Sequence, residues 1–208
     1  MNNRTFSARN VTYLAILLAL VIVLQTFGGS VSIGQVSLNF TLIPIVMGAI
    51  IIGPIAGAFL GLACGIVVMI QVILGLSPFY VLIWTEAPVV ASLTCVIKTT
   101  VAGFVSGLIF NLLNKKNRYV AVFVASAIVP IVNTLLFIVG CFGMWDAIAS
   151  IAGGTNIFGF ILVSLVTVNF FLELAVNLIV APALYRVTKI FIGSDKVEQD
   201  NTEKSEEL

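Results

Sequence analysis

Residues 53–65 read GPIAGAFLGLACG, with glycine at every fourth position: Gly53, Gly57, Gly61 and Gly65. A glycine inside a helix costs about 1 kcal/mol relative to alanine, so four along nearly one face need a reason in packing. A four-residue period on a 3.6-residue helix drifts by about 40° per step, and the stripe therefore winds slowly into a groove. Such a groove matters most in lipid. Helices there gain no hydrophobic force from each other and associate through close contact between small residues, often in a right-handed crossing. Stripes of this kind occur throughout polytopic membrane proteins, so this one marks a closely packed helix without saying which protein carries it.

The surrounding composition supports lipid as the solvent. Of the 208 residues, 60% are hydrophobic and 9% charged, against about 25% charged in a soluble domain. Several apolar stretches approach the roughly 20 residues that cross a bilayer as a helix. Cys64, Cys95 and Cys141 are widely spaced in apolar runs and read as small core residues, with no disulfide or metal pattern. The chain contains no histidine, which removes Ser-His-Asp chemistry and His-ligated metal sites. Arg4 and Arg9 precede an apolar run that no small-residue cleavage site follows, so this run is expected to stay as a helix.

Six spans are predicted: residues 10–27, 41–52, 54–76, 89–114, 119–142 and 157–190. The second is short, rising only about 18 Å against a hydrocarbon core of roughly 30 Å, and is expected to pair with another element or to lie re-entrant. Gly53-Pro54 separates it from the third. Residues 28–40 are a Gly/Ser-rich loop, and 77–88, with two prolines, an interfacial one. The polar residues 191–208 are expected to form a tail without regular structure, and residues 1–9 a short N-terminal segment. The fold class is thus all-α, a six-helix membrane bundle with a short second helix over residues 10–190.

Arg4, Arg9, Lys115, Lys116, Arg118, Arg186 and Lys189 all fall at one end of the spans, and the loops 28–40, 77–88 and 143–156 carry no Lys or Arg. The positive-inside rule then places both termini in the cytoplasm.

Ionisable residues inside spans cost about 2.5–3.5 kcal/mol at a helix centre and are candidates for function. Lys98 and Glu173 are the clear cases, with Glu86 at the outer edge. Lys98 sits about 14 Å from the outer end of its span and Asn169 about 18 Å. Glu173 is deeper, and Asn133, Thr134 and Gln71 are shallower. These groups describe a polar pocket toward the outside. Lys98 and Glu173 could equally be a buried ion pair, and Asn169, Glu173 and Asn177, spaced i, i+4, interhelical glue. Trp84 and Tyr80 fit either an interfacial anchor or a cover over a ligand. No nucleophile–base pair or nucleotide-binding loop is present, so an intramembrane enzyme has no support, and any transport must draw its energy from partners.

The order of these features resembles the S components, the substrate-binding membrane subunits of energy-coupling factor (ECF) vitamin transporters. The resemblance rests on YLAILLALVIVL with Ala15 and Ala19, on NFTLIPIVMGAIIIGPIAGAFLGLACGIV, on IKTTVAGFVSGLIF with a basic loop behind it, and on PIVNTLLF and ELAVNLIVAPALYR. It implies a six-helix bundle in a prokaryotic plasma membrane that binds one vitamin beneath the loop joining the first two helices. It also implies a transmembrane T subunit facing Ala15 and Ala19 and two ATPase subunits, with no cofactor, no catalysis and no nucleic-acid partner for this chain. VNTLLF and ELAVNLIVAPALYR look most like pantothenate-type members. Lys98 would then oppose the vitamin carboxylate, and Asn39, Gln71, Trp84, Asn133, Thr134 and Asn169 would complete the site. Riboflavin or folate as cargo, and a structural role without a ligand, remain the alternatives.

Overall fold

In a computed structural model, the described residues are 8–28, 32–33, 36–37, 39–76, 78–154 and 156–206. Helix α1 spans Ala8–Gly28, α2 Leu42–Ile51, α3 Pro54–Ile73, α4 Pro78–Glu86, α5 Pro88–Leu113, α6 Arg118–Gly143, α7 Trp145–Ala152 and α8 Ile157–Gly159. A π-helical stretch, Phe160–Thr167, leads into α9, Val168–Glu206. Among the described residues, five helical segments are long and apolar enough to cross a membrane: Ala8–Phe27, Pro54–Ile73, Pro88–Leu113, Arg118–Gly143 and Asn169–Ile190. Their outer faces carry large exposed apolar side chains such as Ile16, Phe59, Leu112, Leu135 and Ile179, which suits a lipid surround. With the short α2 they form an all-α polytopic bundle.

The glycine stripe finds its partner in α5. A Cβ built on Gly57 would sit 2.5 Å from the Gly103 carbonyl oxygen, and one on Gly65 2.6 Å from Val96 Cα. At Gly61 it would overlap the carbonyl of Thr99. From the other side, Gly107 abuts Pro54 just as closely. The two backbones therefore touch along several turns, and Thr99 Oγ1 uses the approach to donate to the Gly61 carbonyl at 2.7 Å. Gly53 plays a different part. Its φ of +135° has nothing within 4 Å of a would-be Cβ, so it serves the turn between α2 and α3 and stands outside the packing stripe. Pro54 follows at the first turn of α3, where its missing N–H is no loss.

Helix α2 is short because it lies inside the bundle. Leu42, Ile45, Val46 and Ala49 are fully buried, and the helix packs against α1, α3, α5, α6 and α9. Ten residues rise only about 15 Å, and protein encloses them, so no re-entrant position is needed.

Five segments differ from the sequence reading, the last being residues 191–206, helical where a tail without regular structure is expected. Residues 78–86 of the expected interfacial loop are helical, because Pro78 and Pro88 begin helices and do not interrupt one. Residues 145–152 of the 143–156 loop form α7, which ends at the left-handed Gly153. Ser32–Ile33 and Val36–Ser37 pair as two short antiparallel strands inside the first loop. The sixth span does not start as a regular α-helix: Ile157–Gly159 passes into the π-helical stretch Phe160–Thr167 before α9, and Ile157–Val163 stands at 91° to Trp145–Ala152 ahead of it. Thr167 Oγ1 donates to the Leu162 carbonyl at 2.5 Å, a five-residue reach matching the wider π turn. At its other end α9 continues to Glu206, through Lys-, Glu- and Gln-containing sequence of good helix propensity.

A Gly61→Leu substitution forces a branched side chain into the backbone of α5. Overpacking of this kind costs about 1–3 kcal/mol or more. The thermal midpoint of the purified chain, followed by scanning fluorimetry in detergent, should fall clearly, while Leu62→Val on the exposed face should leave it nearly unchanged.

Candidate functional site

At the end of the bundle where α1 stops and α2 begins, polar groups from six elements meet. Gln25 on α1 and Gln71 on α3 hold each other. Gln71 Nε2 donates to the Gln25 carbonyl at 3.0 Å, and Gln25 Nε2 donates to Gln71 Oε1 at 3.1 Å. Thr41 Oγ1 lies 3.3 Å from Gln25 Oε1 and 3.1 Å from Cys64 Sγ, and it also bonds Asn39 Oδ1. A hydroxyl has one hydrogen, so Thr41 serves one of these acceptors at a time.

Asn39 passes the network to α9, its backbone N–H donating to Glu173 Oε1 at 3.1 Å. The Glu173 carboxylate also takes a hydrogen bond from the Asn133 side chain and lies in the field of Lys98. Asn177 Nδ2 donates to the backbone carbonyl of Glu173 at 2.8 Å. Glu173 is therefore the node at which the entry to α2, α5, α6 and α9 converge. Lys98 and Glu173 are only 8% and 9% exposed. Charges buried this far persist when paired and hydrogen-bonded. The Lys98 ammonium also sits 5.1 Å from the Phe137 ring centroid, a cation–π contact that favours the charged form. Beside the node runs a cleft lined by Asn39, Phe40, Leu172, Glu173, Val176 and Asn177.

The sequence candidates divide accordingly. Asn39, Gln71, Lys98 and Asn133 stand in or beside this network. Asn169 is buried one turn before Glu173 on the same face of α9. Thr134 is half-buried and, about 100° around α6 from Asn133, shares no hydrogen bond with it among the described residues. Trp84 is half-buried against the apolar cluster of Ile83, Phe137, Cys141 and Ile148, a layer that touches the polar network through Phe137. The side chain of Tyr80 lies outside the described residues, and Glu86 is exposed at the end of α4. Ala15 and Ala19 are exposed on α1.

Gln25, Thr41 and Phe137 were absent from the sequence candidates, and Cys64 was assigned to the core alone. One signal for them was available: Gln25 and Gln71 lie near the same end of two predicted spans. Thr41 and Cys64 carry no such mark, because their contact depends on how deep α2 sits.

Residues 9–185 match the family described as ECF transporter, substrate-specific component. The chain belongs to that family. None of the curated proteins or solved structures matches it. As an S component, the chain is a substrate-binding subunit of a transporter, a role of binding and delivery and not of catalysis. Family members take vitamin substrates and work with T and ATPase partners.

Glu173→Leu removes the acceptor for Asn39 and Asn133 and the counter-charge of Lys98 together. Breaking a buried pair from one side costs about 3–5 kcal/mol, so a large drop in thermal midpoint is expected in the S component. Glu173→Gln keeps an acceptor oxygen and should fall less. Equal midpoints for the two variants would contradict the role of Glu173 as the node.

Proposed function

We propose that this S component captures a small, water-soluble vitamin from outside the cell, pantothenate first among them. It would deliver the vitamin through a T subunit driven by two ATPase subunits. The chain is placed in a prokaryotic plasma membrane with both termini cytoplasmic, because the basic residues gather at one end of the spans. The polar network would then open toward the outside, beneath residues 28–40. Ala15 and Ala19 would face the T subunit, in keeping with the exposed, small-residue surface they give α1.

The observation that carries this reading is the convergence of a buried lysine, a buried glutamate and several amides at one end of a largely apolar interior. An ammonium has three donors, so Lys98 can attract Glu173 and still donate to a ligand carboxylate. Asn39, Asn133 and Asn169 offer the amide chemistry that hydroxyls and an amide link require, and Trp84 with its apolar neighbours covers the site. The coupling of Lys98 to Glu173 also fits interhelical glue, which would bind no vitamin at all.

Calorimetric titration of the purified S component with pantothenate, riboflavin and folate separates these readings. Submicromolar pantothenate binding is expected, weakened about tenfold to a hundredfold by Lys98→Ala, the range for a hydrogen bond to a charged group. Tight binding of another vitamin would keep the transport role and remove the cargo assignment. Unchanged affinity in Lys98→Ala would remove the central contact, and no binding by folded protein would leave glue as the role of the network.

A further inference from the structure

Asn177, one turn after Glu173 on α9, has its amide orientation set by its partner. The side-chain nitrogen of Asn177 donates to the Glu173 backbone carbonyl at 2.8 Å. A carbonyl only accepts, so the group facing it must be the NH2, and the oxygen of Asn177 must point elsewhere. That oxygen is buried and accepts no hydrogen bond among the described residues, and the oxygen of Asn133 is in the same state. Asn133 meets the carboxyl group of Glu173 with its side chain. Asn177 is 2% exposed and Asn133 5%, and Asn177 lines the cleft beside Glu173. Leaving a buried acceptor unmet costs about 1–3 kcal/mol. Two of them around one carboxylate make this wall of the site rich in acceptors and poor in donors.

We propose that Asn177 is a specificity-determining residue whose side-chain oxygen accepts a hydrogen bond from an O–H or N–H group of the ligand. The inference rests on the reading of the chain as a vitamin-binding S component and adds an orientation. The face of the ligand that carries hydroxyl or amide hydrogens lies against α9, and any carboxylate of the ligand turns away from Glu173 toward Lys98 on α5. A ligand bearing only acceptors on that face would be rejected, since it would meet the Glu173 carboxylate and two amide oxygens. The anchor of Asn177 is a backbone carbonyl, so its orientation does not depend on the side chain at position 173.

The test is a thermodynamic cycle between residue and ligand. Pantothenate, its two singly deoxygenated analogues and its N-methylated amide are titrated into the wild-type chain and into Asn177→Leu. One analogue is expected to bind the wild type at least about tenfold more weakly, and that difference should vanish in the variant. A purely structural asparagine would weaken all four ligands alike and leave their ratios in place. The wild-type ratios alone keep the test decisive where Asn177→Leu fails to fold: if all three analogues bind the wild type as tightly as pantothenate, the inference is overturned while the transport reading stands. Persistence of the ratio in a folded variant overturns it too. Should riboflavin or folate bind instead of pantothenate, the cargo assignment falls, and the same cycle with an N- or O-methylated form of that vitamin decides the role of Asn177. If none of the three vitamins binds folded protein, both readings fall.

Discussion

The backbone contact between α3 and α5 determines where the chemistry of this protein ends up. Thr99 packs on Gly61 and donates to its carbonyl, which fixes the rotation of α5 about its own axis. Lys98 precedes Thr99, so it is turned about 100° from that contact, toward Phe137 and the Glu173 carboxylate. The same contact sets α3. Cys64 lies beside the glycine stripe, and Gln71 follows it by seven residues on the same face, where the two meet Thr41 and Gln25. A side chain at Gly61 would separate the helices and also swing Lys98 and Gln71 away from their partners. Packing and site therefore share one constraint.

The shortness of α2 is the second half of the same design. Because this helix occupies only part of the bundle's depth, its lead-in at residues 39–41 brings non-helical backbone in among the spans. Backbone of that kind is tolerated at membrane depth only where protein or a lined cavity satisfies it. Here the Asn39 N–H is satisfied by Glu173 and the Thr41 hydroxyl by its neighbours. The buried carboxylate thus has a structural task that does not depend on any ligand. It also brings Asn39, α6 and α9 to one point.

Much of this was legible in the sequence. The glycine period announced a closely packed helix, and the second stretch VAGFVSG supplied a matching surface, although spacing alone could not pair the two. The span boundaries held to within a few residues where apolar runs ended in charge or proline. They failed at 78–86 and 145–152, where short segments next to Pro or Gly resemble loops. Lys98, Asn133 and Gln71 stood out as polar residues within apolar spans, Asn39 came with the family resemblance, and the fold brings the four to one region. Thr134 met the same criterion yet stands apart, since depth along a helix says nothing of the direction a side chain faces; Trp84, read as an anchor or a cover, packs in the layer that meets the network through Phe137. Thr41 and Cys64 escaped notice because small, weakly polar residues are common in packed membrane cores.

The central proposal is that a vitamin binds at the cleft beside Glu173, reached by Lys98, Asn133 and Asn177 under residues 39–41. An electron cryo-microscopy structure of the chain saturated with the vitamin that binds it most tightly tests this directly. The account predicts ligand density in contact with all three side chains, with its donor-bearing face on α9. Density at another face of the bundle, with the Glu173 network closed and unchanged beside it, would contradict it.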